Sequence, residues 1–103
     1  MTRDYKETIR ARVQRNPEYT TALLQEAIEC LMSGDVETGK AILRDFIKAT
    51  SGFEELSRII GKKPESPIRM LSPKGNPTAN ALFQIIAQLQ KQEGMRLEIK
   101  VVQ

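Results

Sequence analysis

Residues 51–71, SGFEELSRIIGKKPESPIRML, constrain the fold more than any other stretch, because two helix breakers fall so close together that only short helical pieces fit between them. Phe53, Leu56, Ile59 and Ile60 recur at helical spacing, and Gly61 follows where a left-handed residue ends a helix. Ser51 and Glu54 have the Ser-x-x-Glu spacing of a capping box, so the first piece is expected to start at Ser51 or Gly52. Pro64 has a preset φ and no N–H, which suits the first turn of a second helix. Pro67 removes one early hydrogen bond, so this second helix is expected to start late, with Ser66 as its cap. The break is a sharp corner, not a linker.

The rest of the chain supplies helices for that corner to pack on. Asn16-Pro17 is a cap followed by a first-turn proline, and Leu24, Ala27, Ile28 and Leu31 then form an apolar stripe that Gly34 terminates. Asp35 caps a further helix that is expected to bury Val36, Ile42, Leu43, Phe46 and Ile47 and to pack antiparallel to its predecessor. After the corner, Asn76-Pro77 repeats the cap-plus-proline device, and Leu82, Phe83, Ile85, Ile86 and Leu89 predict a helix ending near Gly94.

Both ends differ from this helical middle. Tyr5, Ile9 and Val13 recur every four residues among Lys6, Arg10, Arg12 and Arg15, which predicts a thin amphipathic arm over 1–15. A helix with so little apolar surface frays or lies on the body; the functional alternatives are a basic arm that reaches DNA and a partner-binding segment. At the other end Met95, Leu97, Ile99 and Val101 alternate with Arg96, Glu98 and Lys100, the period of a strand over 95–103 with one wet face. No second strand is visible, so its pairing partner is expected on another chain. Antiparallel self-pairing centred on Glu98 opposes like charges, whereas registers centred on Leu97 or Ile99 set Glu98 against Arg96 or Lys100.

Composition narrows the function. The chain has 103 residues, which suit one domain, with no apolar run of membrane-spanning length and no signal-peptide core, so a cytoplasmic protein that enters no membrane is expected. There is no histidine and a single cysteine, Cys30, expected as a small core residue. The commonest general base and metal ligand are therefore missing, and neither a Gly-rich phosphate loop nor a nucleophile motif accompanies the carboxylates. No enzyme, metal or cofactor is expected. The net charge of +3 is unevenly spread: between residues 57 and 92, Arg58, Lys62, Lys63, Arg69, Lys74 and Lys91 face only Glu65. A positive field there favours a phosphate-bearing partner.

The corner resembles a known family. Leu56-Ser57, Ile60-Gly61 and Ile68-Arg69-Met70-Leu71 look like the helix-turn-helix of the Xre/Cro/phage-repressor-like group, and the following Ser72-Pro73-Lys74-Gly75-Asn76-Pro77-Thr78 is similar to its addiction-module antidote branch, the HigA-like antitoxins. The chain departs from the group at Lys62, where an apolar residue is usual, and at Pro67, where leucine or isoleucine is usual.

The resemblance implies an all-α, lambda-repressor-like five-helix DNA-binding domain over 16–94, with an extra N-terminal helix and the C-terminal strand used for dimerisation through Met95, Leu97, Ile99 and Val101. The helix 16–33 would brace the domain, its acidic Glu18, Glu26 and Glu29 facing away from DNA. Within the motif Pro67, Met70 and Leu71 turn inward, leaving Lys63, Glu65, Ser66, Ile68, Arg69 and Ser72 to meet base edges. Ser51, Lys62, Lys74, Thr78 and Asn80 are the candidates for phosphate contacts. The implied partners are double-stranded DNA with an inverted-repeat operator, a second copy of the chain and a small toxin protein. Two other readings stay open: a stand-alone phage-like repressor, and an interaction module that keeps the corner but binds no DNA.

Overall fold

The computed structural model describes residues 17–103. Five helices make up its regular structure: α1 Pro17–Met32, α2 Val36–Ala49, α3 Gly52–Ile60, α4 Glu65–Met70 and α5 Ala79–Gln92. None is long and apolar enough to cross a membrane. The amphipathic arm expected over 1–15 and the Asn16 cap lie outside the described residues.

The core forms where the apolar stripes of all five helices meet. Leu24 and Ala27 of α1, Leu43, Phe46 and Ile47 of α2, Phe53 and Leu56 of α3, and Ile85 and Leu89 of α5 are buried together with Leu71, which follows α4. α1 and α2 join through a tight turn in which Gly34 takes φ +94 and the Asp35 carboxylate accepts from the Thr38 N–H. The two helices approach closely at Gly39, where a Cβ would lie 2.6 Å from Leu31 Cγ. That contact rotates α2 relative to the expected stripe: Gly39 and Lys40 are buried, whereas Val36 is 42% exposed. Cys30 is only half-buried, and burial together with the nearby Asp35, Glu26 and Glu29 carboxylates pushes its thiol pKa up, away from reactivity.

Three local expectations are corrected. The capping box at Ser51 does not form: Ser51 has helical backbone angles, φ −77 and ψ −28, and its side chain makes no cap bond, whereas a capping residue needs an extended backbone. The connection is so short that Thr50 still closes α2, its Oγ donating to Phe46 O at 2.7 Å, and Gly52 makes the turn at φ +83. Ser66 does not cap α4. The cap is Pro64 and the helix begins at Glu65, two residues earlier than expected, so Pro67 sits within the first turn, where an N–H has no helical acceptor, and the proline removes nothing. Finally, α5 is capped by Thr78, not Asn76: Thr78 is extended, φ −71 and ψ 158, and its Oγ1 accepts from the Ala81 N–H at 3.1 Å. On α5, Phe83 turns outward at 62% exposure instead of joining the core.

The corner itself forms as expected. Gly61 is left-handed at φ +74, and the Lys62 N–H donates to Ser57 O at 2.9 Å, closing α3. The strand expected over 95–103 is not present as a paired element: among the described residues no strand is formed. The tail instead docks its first two apolar residues, Met95 and Leu97, against the core of its own chain.

Candidate nucleic-acid interface

Pro67 and Leu71 are buried and Met70 is half-buried against the core, so the opposite side of α4 faces solvent. Lys62, Lys63, Glu65, Ile68 and Arg69 are exposed there, and Ser66 is half-buried. Lys74 is exposed in the loop that follows. None of the ion pairs among the described residues involves Lys62, Lys63, Arg69 or Lys74. Their charges are available to a partner. Arg58 is different: its guanidinium bonds Glu55, which holds that carboxyl below its ordinary pKa.

The side chains that hold this surface in place were not singled out from the sequence. Lys40 is 1% exposed, and its Nζ donates to Gly75 O at 2.8 Å and Ser72 O at 3.1 Å, while Glu37 Oε2 lies 3.0 Å away. One turn further along α2, Arg44 Nη1 donates to Leu71 O. Two buried or half-buried cations thus bind the carbonyls that leave the end of α4. A helix C-terminus carries free carbonyls and partial negative charge, so cations are favoured there. Gly75 completes the arrangement, since a Cβ on it would lie 2.1 Å from Arg69 O and 2.5 Å from Met70 O. Only glycine lets the loop fold back this tightly.

The signal that could have exposed the clamp is a lysine on the core-facing side of α2 combined with a proline-containing loop. Pro73 and Pro77 bring no N–H to that loop, which therefore has more acceptors than donors.

The remaining candidates divide. The Ser72 Oγ donates to Arg69 O at 2.7 Å, so its hydroxyl proton is committed to the end of α4. Thr78 is committed as the α5 cap, and Asn80 is exposed in the first turn of that helix. Ser51 is not brought to the same cluster. It lines a pocket with Glu55, Gln92 and Glu93 near the far end of α5, and a helix of fourteen residues separates its two ends by about 20 Å. The two carboxylates beside Ser51 oppose an approaching phosphate. Burial raises the pKa of Glu93, and the Gln92 side-chain amide is buried with no hydrogen-bond partner. Ile68 and Arg69 stand adjacent on the exposed side of α4, one apolar and one cationic, a combination that can touch a thymine methyl and a guanine edge. No protein family, characterised protein or solved structure matches the chain.

Proposed function

We propose that the chain is a sequence-specific DNA-binding transcriptional regulator that presents α4 to the major groove. The observation that carries this reading is the set of four exposed cations without ion-pair partners, Lys62, Lys63, Arg69 and Lys74, on a corner and loop that Lys40 and Arg44 hold from behind. Rigid placement matters because base reading needs side chains fixed against a groove, while phosphate contacts need only charge and reach. Arg69 reads a guanine edge, Glu65 accepts from a cytosine amine, and Lys62 and Lys74 position the backbone. For the lambda-repressor-like arrangement, with α1 as the extra brace, the described residues supply four helices, α2 to α5, around one core.

One such helix covers few base pairs. Two copies reading an inverted repeat, with half-sites about 34–36 Å apart, supply the missing footprint. The antitoxin role, with repression of its own operon and capture of a small toxin, rests on the resemblance in residues 72–78. A groove of about 380 Å3 among α1, α2 and α5 supports it, because Met32, Val36 and Phe83 line it and are exposed, which offers apolar surface to a protein partner.

The test separates reading from positioning. Arg69→Ala costs about 1–3 kcal/mol on the cognate operator and relaxes preference at one base pair, whereas Lys74→Ala weakens binding to all duplexes alike and flattens the salt slope by about 1. Equal behaviour of the two variants on cognate and random DNA would remove the assignment.

A further inference from the structure

Pro17 opens α1, and a residue that precedes a proline is disfavoured in helical angles, so an amphipathic arm over 1–15 is not expected to continue that helix in a straight line. Two surfaces of the body lie beside the junction. One is a shallow pocket on α1 formed by Glu18, Thr21, Ala22 and Gln25, which offers no large apolar side chain. The other is a groove of about 510 Å3 where the C-terminal ends of α2 and α5 meet α3. Tyr19 and Leu23 of α1 pack against Ala49, and Ala49 lines this groove, so the chain enters α1 at the groove's wall.

The groove is built for an occupant of definite chemistry. Ile59 lines it and is 41% exposed. Both polar atoms of the Gln92 side chain are buried and neither has a hydrogen-bond partner, which is costly unless another segment supplies the bonds. Of the two carboxylates, Glu55 is taken by Arg58, whereas Glu93 enters no ion pair among the described residues. No lysine or arginine is among the described residues that line the groove. It therefore suits a segment that is apolar on one face, donates from a cation and carries a free acceptor.

Residues 1–15 have that chemistry. Tyr5, Ile9 and Val13 share one face of a helix, and Lys6 and Arg12, three residues before and after Ile9, lie at its two borders. The last turn of a helix that stops before Pro17 keeps carbonyls without a helical donor. We propose that residues 1–15 fold back as a helix across this groove of their own chain. Ile9 and Val13 cover Ile59 and Ala49, the Arg12 guanidinium donates to Gln92 Oε1 and the Glu93 carboxylate, and a carbonyl of the arm's last turn accepts from Gln92 Nε2. These contacts come from the two turns nearest the junction, about 12 Å of helix. Seated there, the arm's cations lie at the end of α5 remote from Asn80 and add nothing to the surface around α4. The docking requires neither DNA nor a second copy and is tested without either.

The experiment is disulfide trapping in the full chain with Cys30→Ser. Packed helices bring facing Cα atoms within disulfide range. Ile9→Cys with Ile59→Cys is expected to close an intramolecular disulfide under mild oxidation, seen as a faster-migrating monomer in a non-reducing gel. Ala11→Cys with Ile59→Cys, on the opposite face of the arm, is expected to stay open. Trypsin supplies the second readout: cleavage after Arg10 is expected to be about tenfold faster in Arg12→Glu than in Arg12→Glu with Glu93→Arg, where the ion pair is restored in reverse. Circular dichroism confirms that each variant folds. Failure of positions 9 and 59 to cross-link, a cross-link between two chains, one formed equally well through position 11, or equal cleavage with and without Glu93→Arg overturns the proposal.

Discussion

The loop over residues 72–78 and the tail over 95–103 are both stretches without regular structure, yet they satisfy their backbones in opposite ways. The loop borrows donors from a neighbouring helix: Lys40 and Arg44 reach across to carbonyls of Leu71, Ser72 and Gly75, and the loop is tied to the core. The tail is held by Gln90 alone, whose backbone oxygen accepts from the Met95 N–H and whose side-chain oxygen accepts from the Leu97 N–H. A segment saturated within the chain becomes a fixed surface. The tail is anchored at its first three residues alone, and Ile99 and Val101 stay exposed beyond them. The fixed surface carries the four available cations.

Substitutions can break that contrast, and the largest effect is expected at Lys40. Lys40→Met keeps the length of the side chain but strands the Ser72 and Gly75 carbonyls, and is expected to cost about 3 kcal/mol in urea unfolding, with DNA affinity falling further on the operator than on random duplex. A loss below about 1 kcal/mol would mean that the loop holds its position without the clamp. Gly75→Ala comes next, at about 2 kcal/mol, because the clash is with backbone oxygens that cannot rotate away. The smallest effect is expected in the tail. Gln90→Ala removes the acceptor of the Leu97 N–H and costs about 1 kcal/mol or less. Its clearest readout is faster amide hydrogen exchange at Leu97, with protection in α2 unchanged.

Much of the fold was legible because it depends on local signals. Gly34 and Gly61 marked the two turns, and the apolar stripes of α1, α3 and α5 located most of the core. The errors arose where a local signal had a competitor. Ser51 had the right spacing for a capping box, but the two-residue link holds it in helical angles. Asn76-Pro77 and Thr78 were rival caps, and the chain chose the residue that is extended when it leaves the clamped loop.

Long-range partnerships were barely legible. Lys40 meets acceptors some thirty-five residues away, and the one hint of them is its place on the core-facing side of α2 together with a proline-containing loop short of donors. The same limit explains the misplaced Ser51: its distance from Asn80 is set by the packing of α5, not by any spacing in the motif. Val36 and Phe83 satisfied helical periodicity and still face outward, because the close approach at Gly39 and the junction of α1, α2 and α5 decide which part of a stripe is covered.

The most direct test is the salt dependence of binding to duplex DNA by the whole chain. Four cations set against phosphates and bases predict that log Kd rises with log salt concentration at a slope of about 3 to 4 per protomer, falling by about 1 in Lys74→Ala. A slope near zero, or one that Lys62→Ala, Lys63→Ala and Lys74→Ala leave untouched, would show that the corner does not face nucleic acid.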